Sequence, residues 1–550
     1  MSHHRGDDKQ REMEALQVEY QHVGAQAVDD SEGDGIFHDH VVALPRVAWA
    51  DWMNDTWYDY FFPPHVPREC QLLRTENLAI PACYLLVGLL QGLSSVAVNV
   101  MPLDLGATEA QQTTISSIRS LPASFKLLFG FISDTVPIGG YRRKPYMMGG
   151  WCLASLSMFA LYFLSNLAIP ARNTGCFANG EEDEDRVVPS DAPSIPFFSI
   201  CLLLFGTGFW VADVMGDSVV AEKAKLELPE HRGSLQSTCY AFRFFGLMVA
   251  APISTALYSA VGPSFVIGVL AFLPLSILPL VYWLEEHIHE SPPSVSEQCK
   301  EIWSTVCSRA VWQPLGFVYL YNVMQVGNGA WREYLVTVHH FTSCQLNMLL
   351  IVSYILLYLG IIAYKRYFIT WSWRKVYIYT TLLNGVFSLL QVLLIFGITF
   401  GLSPFLFTLG DDAFAEFISG IQFLPNTIMM VHLCPSGSEG ASYAMFTTVN
   451  NSALAMGSML STQLLKIWDV SRSAFESGYF TGMINLSYLT TFSQTAAVLF
   501  VGLLPHYKED LVALGNSPKS MVGGSIFLFV IFATIAYSLW VGVSNIVAPG

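Results

Sequence analysis

Long apolar runs alternate with short polar connections along most of this chain. A helix needs about 20 consecutive apolar residues to cross the hydrocarbon core of a bilayer. Runs of that kind lie at 79–100, 111–133, 145–167, 195–220, 236–260 and 263–284. A polar connection from Glu285 to Arg309 follows, and then runs at 312–330, 346–364, 375–399, 412–434, 441–467 and 480–504. A last apolar stretch, 522–547, reads either as a thirteenth span or as an interfacial or re-entrant hairpin. The pattern predicts an all-α membrane protein of two six-helix bundles, the layout of two related halves. The expected organisation is a flexible cytoplasmic tail over 1–77, a first bundle over 78–284, a cytoplasmic linker over 285–311, a second bundle over 312–504 and a C-terminal extension over 505–550.

Composition supports this reading. Charged residues make up 13% of the 550 positions and hydrophobic ones 53%, against about 25% charged in a soluble protein. The formal charge of -15 gathers in the N-terminal tail and in the loop Glu181 to Asp185, which leaves no basic patch for nucleic acid. Lys and Arg concentrate in alternate loops: Arg142 to Lys144, Lys223 to Arg232, Lys300 with Arg309, Lys365 to Lys375, and Lys508 with Lys519. By the positive-inside rule these loops are cytoplasmic, and so is the N-terminus. The ten cysteines show no metal-ligand spacing. Cys176 and Cys344 fall in loops expected outside, where a disulfide between them is one option. The aromatic patch Trp52 to Phe62 suits a headgroup surface. The start of the chain has no apolar core of a cleavable signal, so the plasma membrane is the default location, and a monomer is the expected state.

An ionisable residue at bilayer depth is costly unless paired or hydrated, so each is a functional candidate. Arg119 and Lys126 lie seven apart in span 2, which on a continuous helix places them on one face. Asp213 and Asp217 lie four apart in span 4, again on one face, and Arg243 lies in span 5. One reading is structural pairing within the first bundle. The other is a central cavity in which the cations, one more than the aspartates, receive an anionic solute. On that reading Lys126, Arg243 and Arg119 bind substrate, and Asp213 or Asp217 carries a coupling proton. In the second half, Asn322, Gln325 and Asn328 form a stripe at spacings of three, and Asn450 with Asn451 lies in span 11. Asn322 and Asn450 are substrate-binding candidates, although such amides also serve as interhelical glue. Aromatics such as Trp210 and Tyr240 would wall a stacked ring. Asp411, Asp412 and Glu416 are read as a solvated rim at the outer end of span 10. His339, His340 and Glu333 show no catalytic spacing, so no enzyme is expected, and no cofactor or metal is implied.

The loop from Gly130 to Tyr146, GFISDTVPIGGYRRKPY, carries the most specific signal. It resembles the loop between helices 2 and 3 of the major facilitator superfamily. Its spelling, SD-x-x-PI-x-GYRR-x-PY, resembles the folate–biopterin transporter family within that superfamily. The likeness extends to Pro122, Lys126, Gly130, Ser133 and Asp134 in span 2, and to DVMGDSVVAEKA in span 4. It continues through Gly233, Gln236, Arg243 and Gly246 at span 5 and CPSGSEGASYAMFTTVNN at span 11. Ala123 and Leu127 stand where the family commonly has Trp and Pro.

The resemblance implies the major facilitator fold and a secondary transporter working by alternating access. Its expected partners are a small anionic solute such as a folate or pterin, protons and the bilayer. It also implies an inner gate in which Asp134 pairs with Arg142 or Arg143. S-adenosylmethionine or another zwitterion is an alternative solute, and a receptor that binds without transporting is an alternative class.

Overall fold

The computed structural model describes residues 47, 50–63, 66–107, 109–169, 189–227, 233–288, 294–341, 343–434 and 439–547. The chain forms two compact units, 1–52 and 53–550, and every α-helix among the described residues belongs to the second. Cys176, the acidic loop Glu181 to Asp185 and most of the N-terminal tail lie outside the described residues. Residues 53–77 pack as part of the helical unit. The buried Asn77 amide donates to the carbonyls of Arg68 and Gln71 at 3.1 Å.

A short helix, α1 (Asp55–Phe61), precedes the bundle and is capped by the Asn54 side chain. The first half then comprises α2 (Ala79–Asn99), α3 (Glu109–Ser120), α4 (Lys126–Thr135), α5 (Lys144–Leu164), α6 (Ile195–Lys223), α7 (Ser234–Ala260), α8 (Pro263–Phe272) and α9 (Leu278–Trp283). A linker helix, α10 (Val295–Val306), starts in a capping box made by Ser294 and Glu297. The second half comprises α11 (Arg309–Met324), α12 (Trp331–His339), α13 (Ser343–Ala363), α14 (Trp373–Ile395), α15 (Pro404–Leu433), α16 (Glu439–Leu464) and α17 (Thr481–Ala496). The chain closes with α18 (Met521–Val547). Eight helical stretches among the described residues are long and apolar enough to cross a membrane, by length and composition. In lipid every backbone polar group must be satisfied within the protein, and that requirement explains the regular helices as well as the breaks between them.

Span 2 is one of the broken ones. Pro122 opens a 3-10 turn, Leu121–Phe125, between α3 and α4. Each 3-10 residue advances about 120° rather than 100°, so five residues turn α4 by roughly 100° relative to a continuous helix. The expectation that Arg119 and Lys126 share one face therefore fails. Span 7 is broken as well: α11 stops at Met324, and residues 325–330 run without helix before α12. Their freed carbonyls are taken up by other helices. Ser493 Oγ donates to Met324, Gln494 Nε2 to Val326 and Ser461 Oγ to Gly327, at 3.0, 2.9 and 2.7 Å. Gln325 and Asn328 consequently do not continue a helical stripe with Asn322.

The halves pack in similar ways. In the first, α2 lies against α7 and α5 against α6; in the second, α13 lies against α15 and α11 against α16. Small residues allow these approaches. A Cβ on Gly88 would sit 1.8 Å from the Arg243 carbonyl oxygen, and one on Gly420 would sit 2.3 Å from that of Leu357. Between the halves, α4 and α6 meet α16, and α7 meets α13. Large apolar side chains such as Phe163, Leu204, Phe492 and Leu499 are exposed on the outer faces, where lipid would cover them. The stretch 522–547 is one unbroken helix rather than a hairpin. The 27 residues of α18 span about 40 Å, and it packs on α3, α10, α11 and α16.

Candidate functional site

Four charges meet in the interior of the first half. The four-residue spacing of Asp213 and Asp217 turns both carboxylates to one side of α6, while Lys126 comes from the first residue of α4 and Arg243 from the middle of α7. Asp213 accepts from Lys126 Nζ at 2.6 Å and from Arg243 Nη1 at 2.9 Å. Asp217 lies 3.6 Å from Lys126 Nζ and accepts from the Tyr84 hydroxyl at 2.6 Å. All four are buried, none more than 8% exposed. With both carboxylates ionised, the two cations and two anions cancel, which is how such charges are tolerated away from water. The two aspartates are not equivalent. Each oxygen of Asp213 holds a cation, whereas Oδ2 of Asp217 has no hydrogen-bond partner among the described residues.

Aromatic rings surround this cluster. Lys126 Nζ lies 4.7 Å from the centre of the Trp210 ring, a cation–π contact. The Tyr240 hydroxyl lies 3.4 Å from Asp217 and 3.3 Å from the Tyr443 hydroxyl, which accepts from Gln236 at 2.9 Å. Tyr443 belongs to α16, so the second half closes over a charge cluster built by the first. Sequence reasoning named neither Tyr84 nor Tyr443. A lone Tyr in an apolar run gives no sign that its hydroxyl meets a carboxylate.

Arg119 stands apart. Its guanidinium donates to Ser94 Oγ at 2.6 Å and has no carboxylate partner among the described residues. The surplus positive charge counted from the sequence is therefore Arg119, while Lys126 and Arg243 are committed to the aspartates.

At the end of the bundle carrying the Arg-rich loop, the halves are tied together. Asp134 Oδ1 lies 2.6 Å from Arg143 Nη2, and its Oδ2 accepts the backbone N–H of Ala441 at 2.7 Å. Arg143 also donates to Glu222 at 2.6 Å and to Ser133 Oγ at 2.6 Å. Burial alone would lower the Arg143 pKa. The carboxylates of Glu222 and Asp134 outweigh it and hold the pKa above the ordinary arginine value. Arg143 makes the pair with Asp134; the backbone N–H of Arg142 instead donates to Glu286 at 2.7 Å, and those of Arg143 and Lys144 join it at 2.8 and 2.9 Å. Glu286 thus caps the start of α5 from the linker side, a role more than 140 residues distant in sequence and invisible there. Gln298 of α10 adds a 3.4 Å contact to Asp134. Across the seam, Lys365 donates to Thr238 at 2.6 Å.

In the second half Asn322 and Asn450 do meet. Asn450 Oδ1 accepts from Asn322 at 3.0 Å and from Asn426 at 3.1 Å. Asn426 was missed because it follows Pro425 inside an apolar run. The acidic group on α15 is not a solvated rim. Ser403 and Pro404 start that helix eight residues earlier than hydropathy suggested, which carries Asp411 two turns inward, where it is only 4% exposed.

A sequence model described as the BT1 family matches residues 87–174 and 187–520. The chain belongs to that family. It is similar to a folate-biopterin transporter of Synechocystis sp., 25% identical and aligned over 78% of this chain and 82% of that one. It is also similar to Folate transporter 1 of Plasmodium falciparum, 22% identical and aligned over 71% of each. Among solved structures it resembles the major facilitator superfamily proton:xylose symporter XylE bound to 6-bromo-6-deoxy-D-glucose. The TM-score is 0.54 at 13% identity, over 80% of this chain and 98% of the other. A D-xylose–proton symporter structure gives 0.52 at 15% identity, over 78% and 98%. The fold is that of the major facilitator superfamily, and the chain is an integral, multi-pass membrane protein whose relatives are transporters.

Proposed function

We propose that this member of the BT1 family is a secondary transporter that moves an anionic organic solute of the folate or pterin kind by alternating access, coupled to protons. The carrying observation is the buried Lys126–Asp213–Arg243–Asp217 cluster, closed by Tyr443 from the other half. A solute carboxylate entering there competes with Asp213 for Lys126 and Arg243, while Arg119 supplies a cation that makes no ion pair among the described residues. With the solute carboxylate in place, two cations face three carboxylates at the cluster, and a proton on Asp217 offsets the excess. Oδ2 of Asp217, which accepts no hydrogen bond among the described residues and lies 3.6 Å from Lys126 Nζ, is the place for that proton. The Asp134–Arg143 pair and its link to Ala441 act as the latch of the side taken as cytoplasmic. Asn322 and Asn450 line the second half of the path. A cationic solute such as S-adenosylmethionine fits this cluster less well, because both aspartates already face protein cations.

The test is uptake of radiolabelled folate, biopterin and S-adenosylmethionine into liposomes containing the purified protein, for wild type and Lys126→Ala. Uptake of folate, the probe made anionic by its carboxylates, that Lys126→Ala abolishes supports the reading. Uptake of S-adenosylmethionine alone, or of none of the three by folded protein, refutes it.

A further inference from the structure

The match to the family model stops at residue 520, and Met521 opens α18, so the pattern shared by the family does not describe this helix. Its start is fixed to the second half. The backbone N–H of Ser520 donates to the Cys307 carbonyl at 2.8 Å. Cβ atoms on Gly523 and Gly524 would lie 2.9 Å from the Trp312 indole and from Cys307 Sγ, so the helix starts in close contact with both. Further along, the hydroxyls of Thr534 and of Tyr319 on α11 lie 2.6 Å apart. Phe527, Ile531 and Thr534, at steps of four and three, are buried and form one stripe. Phe529 and Phe532 are exposed on the other side.

The same helix also reaches the first half. Span 2 ends at Asp134 on the side of the Arg-rich loop, so α3, its other part, lies toward the opposite side. The two parts have different neighbours: α4 packs on α16, whereas α3 packs on α18, and α18 in turn packs on α16. An extra helix therefore stands at the seam of spans 2 and 11, away from the Asp134 latch. Rocking the halves so that the latched end opens moves α3 relative to α16. A helix anchored to α11 cannot keep its seat on α3 through that motion. Contacts made in one arrangement and lost in the other shift the balance toward the first.

We propose that α18 is a strap: it travels with the second half, and its contact with α3 holds the protein in the arrangement whose Asp134 latch is closed. The inference rests on the alternating-access reading above and adds a brake to it, supplied by a helix that lies beyond the family model.

The experiment is hydrogen exchange read by mass spectrometry on the full-length protein in detergent, for wild type, Gly524→Val and Thr534→Val. Exchange reports local opening, and residues 439–446 include the Ala441 N–H that Asp134 holds. Gly524→Val levers α18 off Cys307 and should speed exchange there about fivefold or more, the scale of an overpacked contact. Thr534→Val keeps the side-chain shape and loses one hydrogen bond, so it should speed exchange about threefold. It carries the test if Gly524→Val does not fold. The α5–α6 pair should exchange at the wild-type rate in both variants. Faster exchange confined to α18 and α11, or spread equally over α5 and α6, would overturn the strap. The measurement needs no solute, so the strap stands or falls by the exchange pattern. A wild type that takes up none of the three solutes refutes the transport reading separately.

Discussion

Asp134 and Ala441 lie more than 300 residues apart in sequence, yet the Asp134 carboxylate accepts the Ala441 N–H at 2.7 Å. One oxygen therefore holds α4 of the first half to α16 of the second, while the other faces Arg143 at 2.6 Å. A single side chain couples the Arg-rich loop to the seam between the halves.

That coupling sets the first prediction. Asp134→Ala leaves the guanidinium of Arg143 buried with Glu222 as its remaining carboxylate, and losing one partner of a buried pair costs on the order of 3 kcal/mol. The unfolding temperature in detergent should fall. A cysteine placed at the fully buried Ser442 should be labelled faster by an impermeant thiol reagent from the Arg143 side, measured against the background of the native cysteines. Unchanged labelling would count against the latch.

The charge cluster predicts coupling between Lys126 and Asp217. Lys126→Ala strips Asp217 of its nearest cation, and Asp217→Asn makes that loss less harmful. The double variant should be more stable than the sum of the singles implies, by roughly 0.5–3 kcal/mol. Thermal unfolding of the four proteins measures it, and strict additivity would mean that the 3.6 Å contact carries no energy.

Gly88 predicts a local packing effect. A methyl group there meets the Arg243 carbonyl oxygen at 1.8 Å, whereas one on Gly149 meets nothing within 4 Å. Gly88→Ala should lose about 1–3 kcal/mol through overpacking and displace Arg243. Gly149→Ala should stay within about 0.5 kcal/mol of wild type. Equal melting temperatures for the two variants would contradict the close approach of α2 and α7.

Much of this architecture was legible in hydropathy. The run 79–100 became Ala79–Asn99, and the run 263–284 became two helices ending at Trp283. The spacing of Asp213 and Asp217 announced a shared helical face, and the loop spelling pointed to the right family. What escaped had non-local causes. Asn322, Gln325 and Asn328 mimic a helical stripe, but Gln494 and Ser461 stabilise an unwound segment there. Asp411 looked like a rim residue because its polarity masked the first turns of its own helix. Glu286 reveals its role only when the linker folds back on α5.

The central claim is that Asp217 carries the coupling proton. The direct measurement compares two transport modes in liposomes, for wild type and Asp217→Asn, with the folate or pterin that wild type accepts. One mode is accumulation driven by an inward proton gradient, and the other is exchange of labelled for unlabelled solute without a gradient. Wild type should do both, and Asp217→Asn should exchange solute while failing to accumulate it. Gradient-driven accumulation by Asp217→Asn at the wild-type level would contradict the account.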